Sequence, residues 1–265
     1  MNTHLIIVDP QNDFCDPNRG SLYVKGADRD MNALAEFLTR RGELLDQVHV
    51  TLDSHHAVHV AHPVFWKNHQ GRHPAAFTTI ARADIEAGTW TTSNPHWLTR
   101  ALDYVKALER NHRYQLTIWP PHCRIGTWGH GVFPCVSDAL LAWEESRLAK
   151  VNFQMKGSNI FTEHYSAMMA DVPDETDEST RLNTRFLDVV RTADRILLAG
   201  EALSHCVANT VTDMANYLGG KHVNKFVLLR NTTSNVSGCE ALGEKFLRDL
   251  TNRGMQVRTT DEVTK

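Results

Sequence analysis

RILLAGEALSHCVANTVTDMANYLGG (Arg195–Gly220) runs from an apolar stretch through a short turn into an amphipathic helix, with Cys206 where the helix begins. Arg195–Glu201 reads as a buried strand. Val207, Val211, Met214, Ala215 and Leu218 recur at helical spacing, and Gly219–Gly220 ends the helix. Free cysteine is among the most buried residue types, so Cys206 could be a small hydrophobe. At a helix N-terminus it could equally be a nucleophile.

The same strand-then-helix unit recurs on either side. His4–Asp9 (HLIIVD) reads as a fully buried strand, followed by a helix with Met31, Leu34 and Leu38 on one face and Gly42 as its stop. Val48–Asp53 is the next strand. Ser137 is a candidate N-cap for the helix in SDALLAWEESRLAK, which precedes the strand Val151–Gly157. Leu182, Phe186, Val189 and Val190 share helical spacing. KFVLLRNT, EALGEKFLRDLTNRG and MQVRTT then supply strand, helix and strand. This alternation predicts one α/β domain over residues 1–265, a doubly wound, mostly parallel sheet of about six strands with helices on both faces. Residues 66–113, with one helical stretch (HWLTRALDYVKALERN), read as an insertion between two core strands.

Composition narrows the function. A net charge of −3 gives no basic patch for nucleic acid or a membrane surface, and no run reaches the ~20 apolar residues of a membrane span. The first residues, MNTHLIIVDPQNDF, lack a basic n-region, so no signal peptide is expected. Five scattered cysteines without a CxxC argue for reduced thiols and a cytoplasmic setting.

In parallel sheets, ligands bind beyond the carboxyl ends of the strands. Asp9, Asp53, Lys156 and the Glu201–Cys206 turn all fall at such ends. A thiol with a pKa near ~8.5 needs help to react at neutral pH. A helix N-terminus and a lysine ammonium would lower that value, and a carboxylate in reach can take the proton. Asp9, Lys156 and Cys206 therefore form a candidate carboxylate–cation–nucleophile set. Asp53 and His55 point the same way from a strand end and make half a metal site. His122, in IWPPHC, is the remote candidate ligand, and His59 a fourth. The mixed O/N donors admit one divalent ion: zinc first, iron or manganese otherwise. His56, His62, His69 and His73 read as surface or insertion residues.

Five segments in this order, VDPQNDF, TLDSHHAVH, WPPHCRIGTWG, KGSNIFTEHYSA and GEALSHCV, resemble the nicotinamidases of the isochorismatase-like cysteine hydrolase superfamily. The resemblance covers nearly the whole chain outside 66–113. It implies a metal-assisted amidohydrolase that converts nicotinamide to nicotinate and ammonia through a thioester, in NAD salvage. It makes Asp9, Lys156 and Cys206 the catalytic residues and Asp53, His55 and His122 the metal ligands, with His59 as a further one. It places Phe14, Trp119 and Tyr165 around the substrate ring, and the Ala202 and Cys206 amides in the oxyanion hole beside a cis Glu201–Ala202 bond. The implied partners are a small-molecule amide and, as in many members, further copies of the chain, with neither nucleic acid nor membrane.

Ser54, His56 and Leu203–His205 depart from the family's usual residues, and the segment between His59 and Trp119 is long. These departures bear on the substrate more than the chemistry. The alternatives are an amidase for another small amide or carbamoyl compound, and a catalytically silent binding protein.

Overall fold

A computed structural model describes residues 1–111 and 114–264 of the chain. Six parallel strands form the central sheet: β1 (Thr3–Val8), β2 (Gln47–Asp53), β3 (Asn152–Lys156), β4 (Arg195–Gly200), β5 (Phe226–Leu229) and β6 (Gln256–Arg258). Their order across the sheet is β6-β5-β4-β1-β2-β3. The winding runs outward from β1 to β3, then restarts at β4 on the other side of β1 and runs to β6. The expected doubly wound α/β fold is thus observed, and its switch point lies between β1 and β4.

Period-two alternation along buried strands explains why both faces need helices. Leu5 and Ile7 of β1, with Leu197 and Ala199 of β4, enter one core. Ile6, Val8, Ile196 and Leu198 enter the other. The first is covered by α1 (Ala27–Arg41), with Met31, Leu34 and Leu38 buried as expected, and by α3 (Pro134–Arg147). The second is covered by α4 (Thr184–Arg191), α5 (Ala208–Leu218) and α6 (Glu240–Asn252), joined by α2 (Leu98–Arg110).

Three local expectations change. α3 starts at Pro134 after the N-cap Phe133, so Ser137 lies inside the helix and caps nothing. Proline suits the first turn, where its missing N–H is no loss. α4 starts at Thr184, capped by the Asn183 side chain on the Phe186 N–H, so Leu182 precedes the helix. Within 66–113, whose last two residues lie outside the described ones, α2 is joined by a second helix, Arg82–Glu86. Trp66–Lys67 pairs antiparallel with Thr91–Thr92 inside this segment. Among the described residues no helix is long and apolar enough to cross a membrane.

Candidate active site

The carboxyl ends of β1, β2 and β3 and the turn after β4 deliver one residue each to a single buried point. Asp9 follows β1 with φ 45°, a left-handed conformation unusual for a residue with a side chain. Its N–H bonds the Thr51 carbonyl of β2 at 3.2 Å, and the Thr51 hydroxyl donates to Oδ1 at 2.5 Å. Lys156 Nζ lies 3.0 Å from Asp9 Oδ2, 3.0 Å from Asp53 Oδ1 and 3.7 Å from Cys206 Sγ. All four side chains are buried. Lys156 is therefore paired twice, and burial, which disfavours its charge, is outweighed by Asp53 and Asp9, so it stays protonated.

Cys206 lies within a wide turn of π-helical form, Leu203–Val207, in which the Val207 N–H reaches back to the Ala202 carbonyl at 3.1 Å. α5 begins only at Ala208, so Cys206 precedes the helix proper. Burial raises the Cys206 thiol, Lys156 pulls it down, and Asp9 and Asp53 push it up again, leaving it well above its ordinary value. The expected helix-driven thiolate is not the resting state: the sulfur holds its proton until a base removes it. That base is adjacent. Asp9 Oδ2 makes no aligned hydrogen bond among the described residues despite its closeness to Lys156. Burial raises the Asp9 carboxyl and Lys156 only partly offsets it, which makes Asp9 the better proton acceptor. The Glu201–Ala202 peptide bond is cis.

Asp53, His55 and His122 form the second cluster, with ligand atoms within 4.8 Å of one another. His55 Nδ1 donates to the Gly157 carbonyl at 3.0 Å and His122 Nδ1 to the Pro120 carbonyl at 2.8 Å. These bonds leave the Nε2 lone pairs directed at one oxygen, Asp53 Oδ2, at 2.9 and 3.3 Å. Three acceptors facing one another in a buried site call for a cation, and imidazoles oriented through Nδ1 are the usual supporting arrangement of a metal centre. The residues fit a divalent ion. Gly157 (φ 84°) packs against them so closely that a Cβ would stand 2.8 Å from Asp53 Oδ1 and 3.0 Å from the His55 ring.

His59 is buried beside His55, but its Nδ1 accepts the Ala61 N–H and its Nε2 donates to the Thr162 carbonyl, both at 3.2 Å. Both nitrogens are committed to backbone. His62, read as a surface or insertion residue, is instead fully buried, its ring 5.3 Å from His55 and 5.6 Å from His122. Burial lowers its pKa to about 3, so it packs as a neutral ring. One of these neighbours, His122, comes from a segment distant in sequence, which local polarity could not reveal. His56, His69 and His73 are exposed.

Phe14, Trp119, Tyr165, His205, Val24 and Val236 wall a small cavity that Cys206, Ala202, Asp53 and His122 also line. The Trp119 indole N–H donates to the Tyr165 hydroxyl at 2.9 Å, which fixes both rings. The sequence reading missed Glu163 as a lining residue, although it sits in the quoted KGSNIFTEHYSA; only the fold shows that this loop turns inward. It also missed Gln11, whose amide bonds both the N–H and the C=O of Asp53, at 2.7 and 2.8 Å.

No family model matches the chain. The nicotinamidase of Saccharomyces cerevisiae is 26% identical over 211 residues, 80% of either chain. The yeast nicotinamidase structure superposes with a TM-score of 0.65 over 96% of this chain and 98% of that one, at 22% identity. An Acinetobacter baumanii nicotinamidase/pyrazinamidase gives 0.67 over 99% and 98%, at 20% identity. This chain has the nicotinamidase fold. A third structure, the pyrazinamidase of Pyrococcus horikoshii in complex with zinc, superposes with a TM-score of 0.57 over 98% and 99%, with 17% identity. The resemblance read from five short segments therefore extends over the full length of the fold.

Proposed function

We propose that the protein is a cysteine amidohydrolase that converts nicotinamide to nicotinate and ammonia, with Asp9, Lys156 and Cys206 as its catalytic residues. The observation that carries this reading is the meeting of a thiol, its base and a buried ammonium at an aromatic-walled cavity that two of the candidate metal ligands, Asp53 and His122, also line. The flat aromatic side chains of Phe14, Trp119 and Tyr165 in the cavity's lining suit a planar single-ring amide. The similarity to the yeast nicotinamidase supports the same substrate.

Asp53, His55 and His122 would hold one divalent ion, and the zinc in the Pyrococcus structure supports zinc. When bound, that ion supplies a Lewis-acidic anchor for the pyridine nitrogen. Phe14, Trp119 and Tyr165 clasp the ring and exclude water. The Cys206 sulfur attacks the carboxamide carbon as Asp9 Oδ2 takes the thiol proton. The developing oxyanion meets the Ala202 and Cys206 N–H groups. Collapse of the tetrahedral adduct breaks the C–N bond, and Asp9 returns its proton to the departing ammonia. Water, deprotonated by Asp9, then cleaves the thioester to nicotinate and the thiol regains its proton. Lys156 keeps Asp9 and Asp53 from repelling each other throughout.

The same proposal assigns the protein to recycling of nicotinamide for NAD in the cytoplasm, a setting supported by five free cysteines. It treats 66–113 as an insertion within a single domain. The test is ammonia release from nicotinamide by the purified protein, abolished in Cys206→Ala, with metal content measured alongside. Cleavage of another small amide in preference to nicotinamide would overturn the substrate while leaving the chemistry.

A further inference from the structure

The turn that carries Cys206 is held from behind by two carboxyl groups that the reaction above does not use. Glu201 is fully buried at the end of β4, its N–H bonded to the Val8 carbonyl at 2.7 Å, and it does not line the cavity. Its Oε2 accepts the Ser234 N–H at 3.0 Å. Its Oε1 meets no donor among the described residues, and the carboxyl that shares Ser234 with it is Asp30, in the first turn of α1. Asp30 Oδ2 in turn accepts the Ser234 hydroxyl. Two ionised carboxylates held on one serine, one buried and one half-buried, repel, whereas one proton between them makes a short, strong bond.

Other charged and titratable groups do not remove that need. Arg230, on the loop after β5, attracts both carboxyls but donates to the Thr233 carbonyl at 2.9 Å. Arg29 of α1 acts on Asp30 as well. Cys15, on the other side, is buried and held well above its ordinary value, in part by Glu201, so it stays neutral. Burial raises Glu201 well above its ordinary 4.5, and Asp30 adds to the rise.

Ser234 transmits the pair's position. Its carbonyl accepts the Leu203 N–H at 2.8 Å, at the start of the Cys206 turn. Two residues on, the Val236 N–H donates to the Ser204 hydroxyl at 3.1 Å, and the Val236 side chain walls the cavity.

We infer that Glu201 and Asp30 hold one proton between them and, through Ser234, position both the Cys206 turn and the Val236 wall; Glu201 is a positioning residue. Only the turnover readout rests on the proposed hydrolysis. A carboxyl held above its ordinary value contributes stability that is whole below 4.5 and is lost as pH rises through its folded value.

Three measurements on the full chain test this. At pH 7 the infrared spectrum of wild type contains a protonated-carboxyl C=O stretch that Glu201→Gln lacks. The melting temperature of wild type falls relative to Glu201→Gln as pH rises. Glu201→Gln, whose amide can donate to Asp30 and accept from Ser234, hydrolyses nicotinamide within about fivefold of wild type, whereas Glu201→Leu loses about tenfold or more in kcat. An unchanged carboxyl band, or a Gln variant as impaired as the Leu variant, overturns the inference. Should Glu201→Leu fail to fold, the band and the melting profile of Glu201→Gln still decide. Should wild type not hydrolyse nicotinamide, the iodoacetamide alkylation rate of Cys206 replaces turnover, so the pair and the function fail separately.

Discussion

Asp9 and Asp53 are the same residue type at the ends of adjacent strands, each 3.0 Å from the same ammonium, yet they are driven in opposite directions. Both suffer burial, which raises a carboxyl. For Asp9 that effect prevails over Lys156 and the Thr51 hydroxyl, so its pKa is raised. For Asp53 it is outweighed by His55, which with no ion between them is itself drawn toward its protonated form by Asp53, and by Lys156 and His122, so the carboxyl is held well below its usual range. One aspartate is thus fitted to exchange protons and the other to stay an anion beside a cation. The difference comes from two histidines and not from the strand ends themselves.

Removing the shared cation breaks the comparison most severely. Lys156→Ala leaves two buried carboxylates uncompensated, a loss of about 3–5 kcal/mol by denaturant titration, with activity abolished. Next come the single neutralisations. Asp9→Asn lowers kcat by about 10²–10⁴ while bound metal, measured by elemental analysis, is retained. Asp53→Asn loses the metal, so equal metal content in the two variants would erase the distinction. Gly157→Ala, by pushing a methyl group against Asp53 and His55 but not Asp9, weakens metal affinity by about 10–100-fold, read by chelator competition.

The pH profile separates the two carboxylates more finely. Asp9 must be ionised to accept the thiol proton, and its pKa is raised, so kcat/KM falls as pH drops through a value above the ordinary 3.8. Asp53, held below that value, contributes no limb there. Thr51→Val is the mildest change. Its hydroxyl favours the Asp9 carboxylate, so losing it moves the acid limb to higher pH by about half to one unit, the equivalent of one hydrogen bond. A shift to lower pH would contradict the assignment.

Much of this was legible because it is local. Alternating apolar residues in β1 and β4 and the stripe of α5 announce a sheet covered on both faces, and a parallel sheet gathers strand-end residues on one rim. Pro134 could have been read as the start of α3, since proline at the first helical position is a known signal; the polar Ser137 was the more obvious and wrong choice. His62 and Glu163 were not legible. Each lies in a loop that meets residues more than fifty positions away: His122 for His62, and for Glu163 the Tyr104 hydroxyl, which accepts its N–H at 3.2 Å.

Residue order alone, through its periods of two and 3.6 and its turn residues, determined the sheet, its helical cover and the set of reactive side chains at its rim. The protonation of those side chains was left to the folded molecule. A thiol expected to be ionised by a helix end is kept neutral by burial, and two like carboxyls diverge, because the energy of a charge depends on the solvent it has lost and on the partners brought within about 3–4 Å, and those are set by strands far apart in the chain.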